Sequence, residues 1–148
     1  MNAIWFYPLV ILAGSLQAMG NSMNAQLRNS LGNPWLASIV SFAPILLFFC
    51  LAFAVSPRPF PTAADIASMP WWAPIGGLAG AVAVFCGLTM VDKIGAAPLN
   101  GLIITANILA SLAIDHFGFL NMPPHSVSSG RIIGAVLMVA GVSLIARF

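Results

Sequence analysis

The sequence predicts an all-α integral membrane protein with five transmembrane helices. Three observations carry that reading. Of 148 residues, 60% are hydrophobic and only 5% are charged, whereas a soluble domain carries about 25% charged residues. The apolar residues gather into five stretches near the roughly 20 residues that cross a bilayer as a helix, separated by connections rich in Pro and Gly. Trp5, Trp35, Trp71 and Trp72 fall near the ends of those stretches, where amphipathic rings settle at a membrane surface. Too few polar residues remain to cover a water-facing surface. That excludes a soluble enzyme, a nucleic-acid module and a disordered segment. A net charge of +2 is too small to suggest a polyanionic partner. The chain 1–148 reads as a single transmembrane domain whose first partner is the lipid bilayer.

The first helix is expected over 4–27. No Lys or Arg precedes it and no small-residue cleavage site closes it, so it is a permanent span rather than a signal peptide. Its second half is unusually polar, with Gln17, Asn21, Ser22, Asn24 and Gln26. Gly32 ends it and Pro34 opens the second helix, 34–55, at a position where a missing N–H costs nothing. Pro44 lies inside that helix and should kink it or loosen its hydrogen bonding. Pro57, Pro59, Pro61 and Pro70 exclude a continuous helix from the next connection. Within it Thr62 and Asp65 resemble a capping box, with a short interfacial helix from there to Met69. The third helix is expected over 71–91, with a tight turn from Asp92 to Gly95. The fourth spans 97–117. A loop with Pro123 and Pro124 leads to the fifth, 130–146. Cys50 and Cys86 both fall in apolar stretches and read as small buried hydrophobes, not as a disulfide.

Orientation is almost evenly balanced. Arg28, Lys93 and Arg147 collect on one side, Arg58 and Arg131 on the other. By one charge, the positive-inside rule puts the C-terminus in the cytoplasm. Near-balance also suits a chain that inserts both ways, or one that pairs with an oppositely oriented partner.

Polar stripes are the features that bear on chemistry. Residues 4, 7 and 11 apart share a helix face. Gln17, Asn21, Asn24 and Arg28 have those offsets and form a narrow stripe that ends in a cation. In the fourth helix Asn100, Asn107 and Ser111 share a face, with Asp115 beside it. Polar groups at membrane depth must face protein or water. One reading is hydrogen-bonded glue between helices. The other, favoured by three amides in register and by the matching second stripe, is two walls of one substrate site: Gln17, Asn21, Asn24, Asn107 and Ser111.

Other features have bland readings alongside functional ones. Gly76, Gly80, Ala83 and Gly87 make a small-residue face on the third helix, and Gly134 with Gly141 a lesser one on the fifth. Both suit close helix packing, within a subunit or between subunits. Asp115 and His116 are adjacent and are candidates for proton coupling. Yet Asp115 lies roughly 24 Å along the helix from Leu99, near a membrane surface, where a polar helix end is equally expected. His125 reads as a solvated loop residue. No metal-ligand spacing, nucleophile–base pair or phosphate loop occurs, so neither an enzyme activity nor a cofactor is expected.

Several segments together resemble a known family. They are QAMGNSMNAQLR (17–28), LGNPWLASIVSF (31–42), WWAPIGGLAG (71–80), IGAA (94–97), SLAIDHFG (111–118) and RIIGAVLMVAGV (131–142). In order and spacing the chain is similar to the small five-helix YdcZ-like branch of the drug/metabolite transporter (DMT) superfamily. One departure is Asn107, where the family leads one to expect Gln; the amide is kept but shortened. The resemblance implies a bacterial inner (plasma) membrane protein, one half of an antiparallel, inverted-topology dimer. It implies alternating access to a small organic metabolite or drug-like solute at the dimer interface. The partner would be a second copy or a similar five-helix subunit. Proton-coupled export of cationic drugs is not carried over: the small multidrug exporters of the superfamily use a glutamate in the first helix, and this chain has no Glu. Amides and hydroxyls suit a neutral or polar metabolite better. Two other readings are open from sequence: a non-transporting accessory or assembly subunit of another membrane protein, and a lipid flippase.

Overall fold

The computed structural model of the chain describes residues 3–56 and 58–148; the side chain of Trp5, and Pro57, both used in the sequence reading, lie outside the described residues. Everything described is helix or connection. The α-helices are α1 (Tyr7–Leu31), α2 (Pro34–Val55), α3 (Ala63–Ser68), α4 (Gly76–Ile94), α5 (Ala96–Phe117) and α6 (Ser129–Arg147). Short 3-10 turns at Ala3–Phe6 and Ala73–Ile75 lead into α1 and α4. Among the described residues, α2, α4 with its 3-10 turn, α5 and α6 are long and apolar enough to cross a membrane. The most apolar is α2, with a mean hydropathy of 2.5 against 1.7 to 1.9 for the others. The 25 residues of α1 are ample in length, but the amides of its second half dilute its apolar character.

The helix ends follow local chemistry. Gly32 adopts a left-handed backbone (φ 65°) and donates its N–H to Arg28 O, so α1 runs four residues beyond the expected boundary of 27. At the next residue the Asn33 side chain accepts from the N–H groups of Trp35 and Leu36 and starts α2, satisfying donors that a helix N-terminus otherwise leaves idle. Gly95 (φ 89°) separates α4 from α5, and Gly118 (φ 63°) closes α5. The third expected helix begins later than 71, because Ala73–Ile75 is a 3-10 turn. The Thr62–Asp65 capping box is formed and carries α3. Unbroken, α2 runs through Pro44; that proline has no N–H to offer the carbonyl of Val40.

The structure divides into two compact units, Met1–Thr89 and Met90–Phe148. In the first, α1 packs against α2 with Ala25, Ala37 and Leu88 buried. In the second, α5 packs against α6 with Leu99, Thr105, Ala135 and Val142 buried. A close approach there is at Gly101, where an added Cβ would lie 2.6 Å from Val142 Cγ2. Large apolar side chains are on the outside: Ile11 is 70% exposed, Leu46 69% and Leu137 66%. Large apolar side chains on the outside suit a surface solvated by lipid, not one solvated by water. Cys50 belongs to that exposed apolar surface, not to the interior as expected; Cys86 is half-buried, and both are unpaired thiols.

Hydroxyls within the helices are mostly satisfied by their own backbone. Ser15, Ser22, Ser30, Ser38 and Ser143 each donate to the carbonyl four residues back, and Thr89 donates to both Phe85 O and Cys86 O. Self-satisfaction of this kind lets a hydroxyl sit in hydrocarbon without a partner helix.

Candidate functional site

The polar stripe of α1 resolves into positions with different surroundings. Asn21 is only 7% exposed. Its Oδ1 lies where it would be 3.2 Å from a Cβ on Gly87, so the absence of a side chain at Gly87 lets α4 approach this amide. Asn24 is half-buried, and its Oδ1 accepts 2.8 Å from Ser41 Oγ of α2. Ser41 thus reaches across to a neighbouring helix where the other hydroxyls bond at home. At the end of the stripe Arg28 Nη1 donates to Thr89 O of α4 at 3.5 Å, and Nη2 to Asn29 Oδ1 at 2.8 Å. Gln17 differs from all three: it is exposed, and no side-chain partner is seen for it among the described residues.

The α5 stripe is likewise mixed. Asn100 is half-buried and donates Nδ2 to Ala96 O at 2.8 Å. Asn107 and Ser111 are exposed. Asp115 pairs with Arg131 of α6 at 3.7 Å, and its backbone oxygen accepts from His125 N–H at 2.7 Å. His116 Nδ1 accepts from Val127 N–H at 3.4 Å. Asp115 and His116 therefore brace the connection from α5 to α6, and His125, expected only to be solvated, is one of its anchor points. Among the described residues no three His, Cys, Asp or Glu side chains gather to hold a metal ion.

One sizeable groove lies off the amide stripe. This groove of about 600 Å³ runs between α2 and α4, with walls that include Trp35, Ser38, Phe42 and Phe85. Trp35 and Phe85 are 4.6 Å apart between ring centroids, tilted by 31°. A smaller polar pocket of about 200 Å³ is formed by Arg28, Asn29, Gly32 and Pro34.

A family model described as "Putative inner membrane exporter, YdcZ" matches residues 5–144. The chain belongs to the YdcZ family. It is an inner-membrane protein with several membrane-spanning helices, of a family described by export and not by catalysis. It is similar to "Inner membrane protein YdcZ" of Escherichia coli (strain K12), 32% identical over 82 residues, which are 55% of this chain and 54% of that protein. The match thus spans about half the length of that YdcZ relative. No solved structure matches the chain.

Of the small-residue positions singled out in the sequence, Gly87 is packed against Asn21. Gly76, Gly80, Gly134 and Gly141 have no atom within 4 Å of where a Cβ would stand, apart from their own helices. Sequence reading missed Ser41, Thr89 and Arg131 as partners of Asn24, Arg28 and Asp115. The signal for Ser41 was a hydroxyl in the apolar run of α2, one turn after Ser38. It also missed Gly101, which stands alone in its stretch with no repeat to mark it.

Proposed function

We propose that this YdcZ-family chain is a transporter subunit, an exporter or facilitator of a small organic solute. It works by alternating access between two five-helix units of opposite orientation. The fifth span in this reading is α1, long enough to cross and drawn in by its tight turn to α2. An odd number of spans means that a second unit joined to the first, or paired with it as an inverted copy, brings the antiparallel symmetry that alternating access uses. Gln17, Asn21 and Asn24 on α1, and Asn107 and Ser111 on α5, are the solute-facing positions. Asn24 also ties α1 to α2 through Ser41, so both readings of the stripe apply at that position.

The observation that carries the proposal is Gln17. An exposed amide ten residues into α1, with neighbour Leu16 also exposed, meets either lipid or a polar occupant, and lipid is the costly choice. The exposed Asn107 supports the same reading. Asp115 and His116 are the proposed proton-coupling positions, with Arg131 the ionic partner of Asp115.

Efflux-deficient bacteria expressing the chain, challenged with a panel of toxic neutral metabolite analogues, test this reading. Protection against at least one analogue is expected. It should be lost in Gln17→Ala at unchanged membrane abundance. Equal protection by Gln17→Ala would remove Gln17 from the solute path. Protection against none would favour the accessory-subunit reading.

A further inference from the structure

We infer that the first unit holds one anionic phospholipid, its headgroup at the Arg28 pocket and one acyl chain along the α2–α4 groove. This does not depend on the transport reading. Two pockets of opposite character are lined by consecutive residues of the chain. The polar one includes Arg28 and Pro34; the apolar one begins at Trp35, the next residue. On the facing helix the same succession holds. Thr89, whose carbonyl meets Arg28, lies one turn from Phe85, which stacks on Trp35.

Depth assigns the two parts of the ligand. Trp35 is 69% exposed in the first turn of α2, as expected of an indole at the headgroup boundary. The Arg28 pocket is then level with phosphates, and the groove descends into hydrocarbon. From Trp35 to Leu46 the α2 wall is about 16 Å long at 1.5 Å per residue, close to the roughly 15 Å depth of one leaflet. The groove walls carry no charge, and Ser38, their hydroxyl, is bonded to Pro34 O, so the walls suit an alkyl chain. At the other end sits a guanidinium. Its bonds to Thr89 and Asn29 orient it, and the charge and planar fork of a guanidinium match a phosphate oxygen. Basic pockets between helices select anionic headgroups in this way.

The test uses the full chain in nanodiscs, with Trp5, Trp71 and Trp72 changed to Phe so that Trp35 alone reports. Phosphatidylglycerol or phosphatidylcholine with brominated acyl chains is titrated in, and quenching is followed. The phosphatidylglycerol curve should reach half-quenching at about a fivefold lower mole fraction, the effect of one basic residue on an anionic lipid. Arg28→Gln should bring the two curves together, and Arg28→Lys should keep them apart. Ala81→Phe, which fills the groove from its α4 wall, should also remove the preference. Coincident curves in the parent protein would overturn the site. So would a preference that survives Arg28→Gln or Ala81→Phe.

Discussion

At the scale of single residues, the distinction that matters is between polar groups that are committed and those that are not. Asn24 is committed to Ser41, so Asn24→Ala should lower stability by about 0.6 kcal/mol, the average for a hydrogen bond between membrane helices. Gln17→Ala removes no bond seen in the structure and should change stability by less than about 0.5 kcal/mol. Thermal unfolding in detergent separates the two. Gly101 should be the least tolerant glycine. A methyl there meets the Cγ2 of Val142, a side chain with a stiff χ1, and Gly101→Ala should cost about 1–3 kcal/mol. Adding Val142→Ala should recover most of that loss. If the single variant melts like the parent, the α5–α6 packing described above is wrong. The offsets of 4, 7 and 11 made the α1 stripe legible in the sequence. Which amide was locked was not legible, because the locks come from Ser41 and Gly87 on other helices, and periodicity along one helix does not report its neighbours.

Elements were the most legible scale, because helix ends are made locally. Gly32, Asn33, Gly95 and Gly118 each act through their own backbone or the next turn, and the expected boundaries lie within a few residues of the observed ones. Most of the differences have a cause of the same kind: a left-handed glycine cap that ends α1 at Leu31 and not at 27, or a 3-10 turn that delays α4. The capping box of α3 was legible for the same reason, and it is open to a pH test. Asp65 Oδ2 accepts from the Thr62 hydroxyl at 2.7 Å and the Thr62 N–H at 2.8 Å. These bonds to the charged form, the hydroxyl first, hold its carboxyl below the usual carboxylate value. A group depressed on folding contributes above its unfolded pKa of about 3.9, and the contribution fades as pH falls through the lower folded value. The cap should therefore be intact at neutral pH and open only in strong acid. The Thr62 amide resonance should hold its position from neutral pH down to about 4 and move below that. Asp65→Asn should already show the shifted position at neutral pH. A Thr62 shift centred near pH 6 would belong to some other group.

On the scale of the whole molecule, composition fixes the solvent and leaves orientation to a small imbalance of basic residues. Dual insertion has a direct test. With Cys50 and Cys86 changed to Ala and a cysteine placed at Phe148, an impermeant thiol reagent should label about half the chains in intact cells if both orientations occur. All-or-none labelling would mean a fixed orientation and a separate inverted partner. What composition could not reveal was how the chain divides, since the packing of α1 on α2 and of α5 on α6 depends on where small residues meet. That packing bears on biogenesis. Alone, α1 is too rich in amides to be released readily from the translocon into lipid, whereas α2 is the most apolar helix of the chain. Only Gly32 and Asn33 join them. A link so short leaves α1 no independent path, so it should wait at the lateral gate until α2 emerges, and the two should enter together as a hairpin. A ribosome-released fragment ending at Asn33 should then wash off membranes in alkaline carbonate, and one ending at Ser56 should stay.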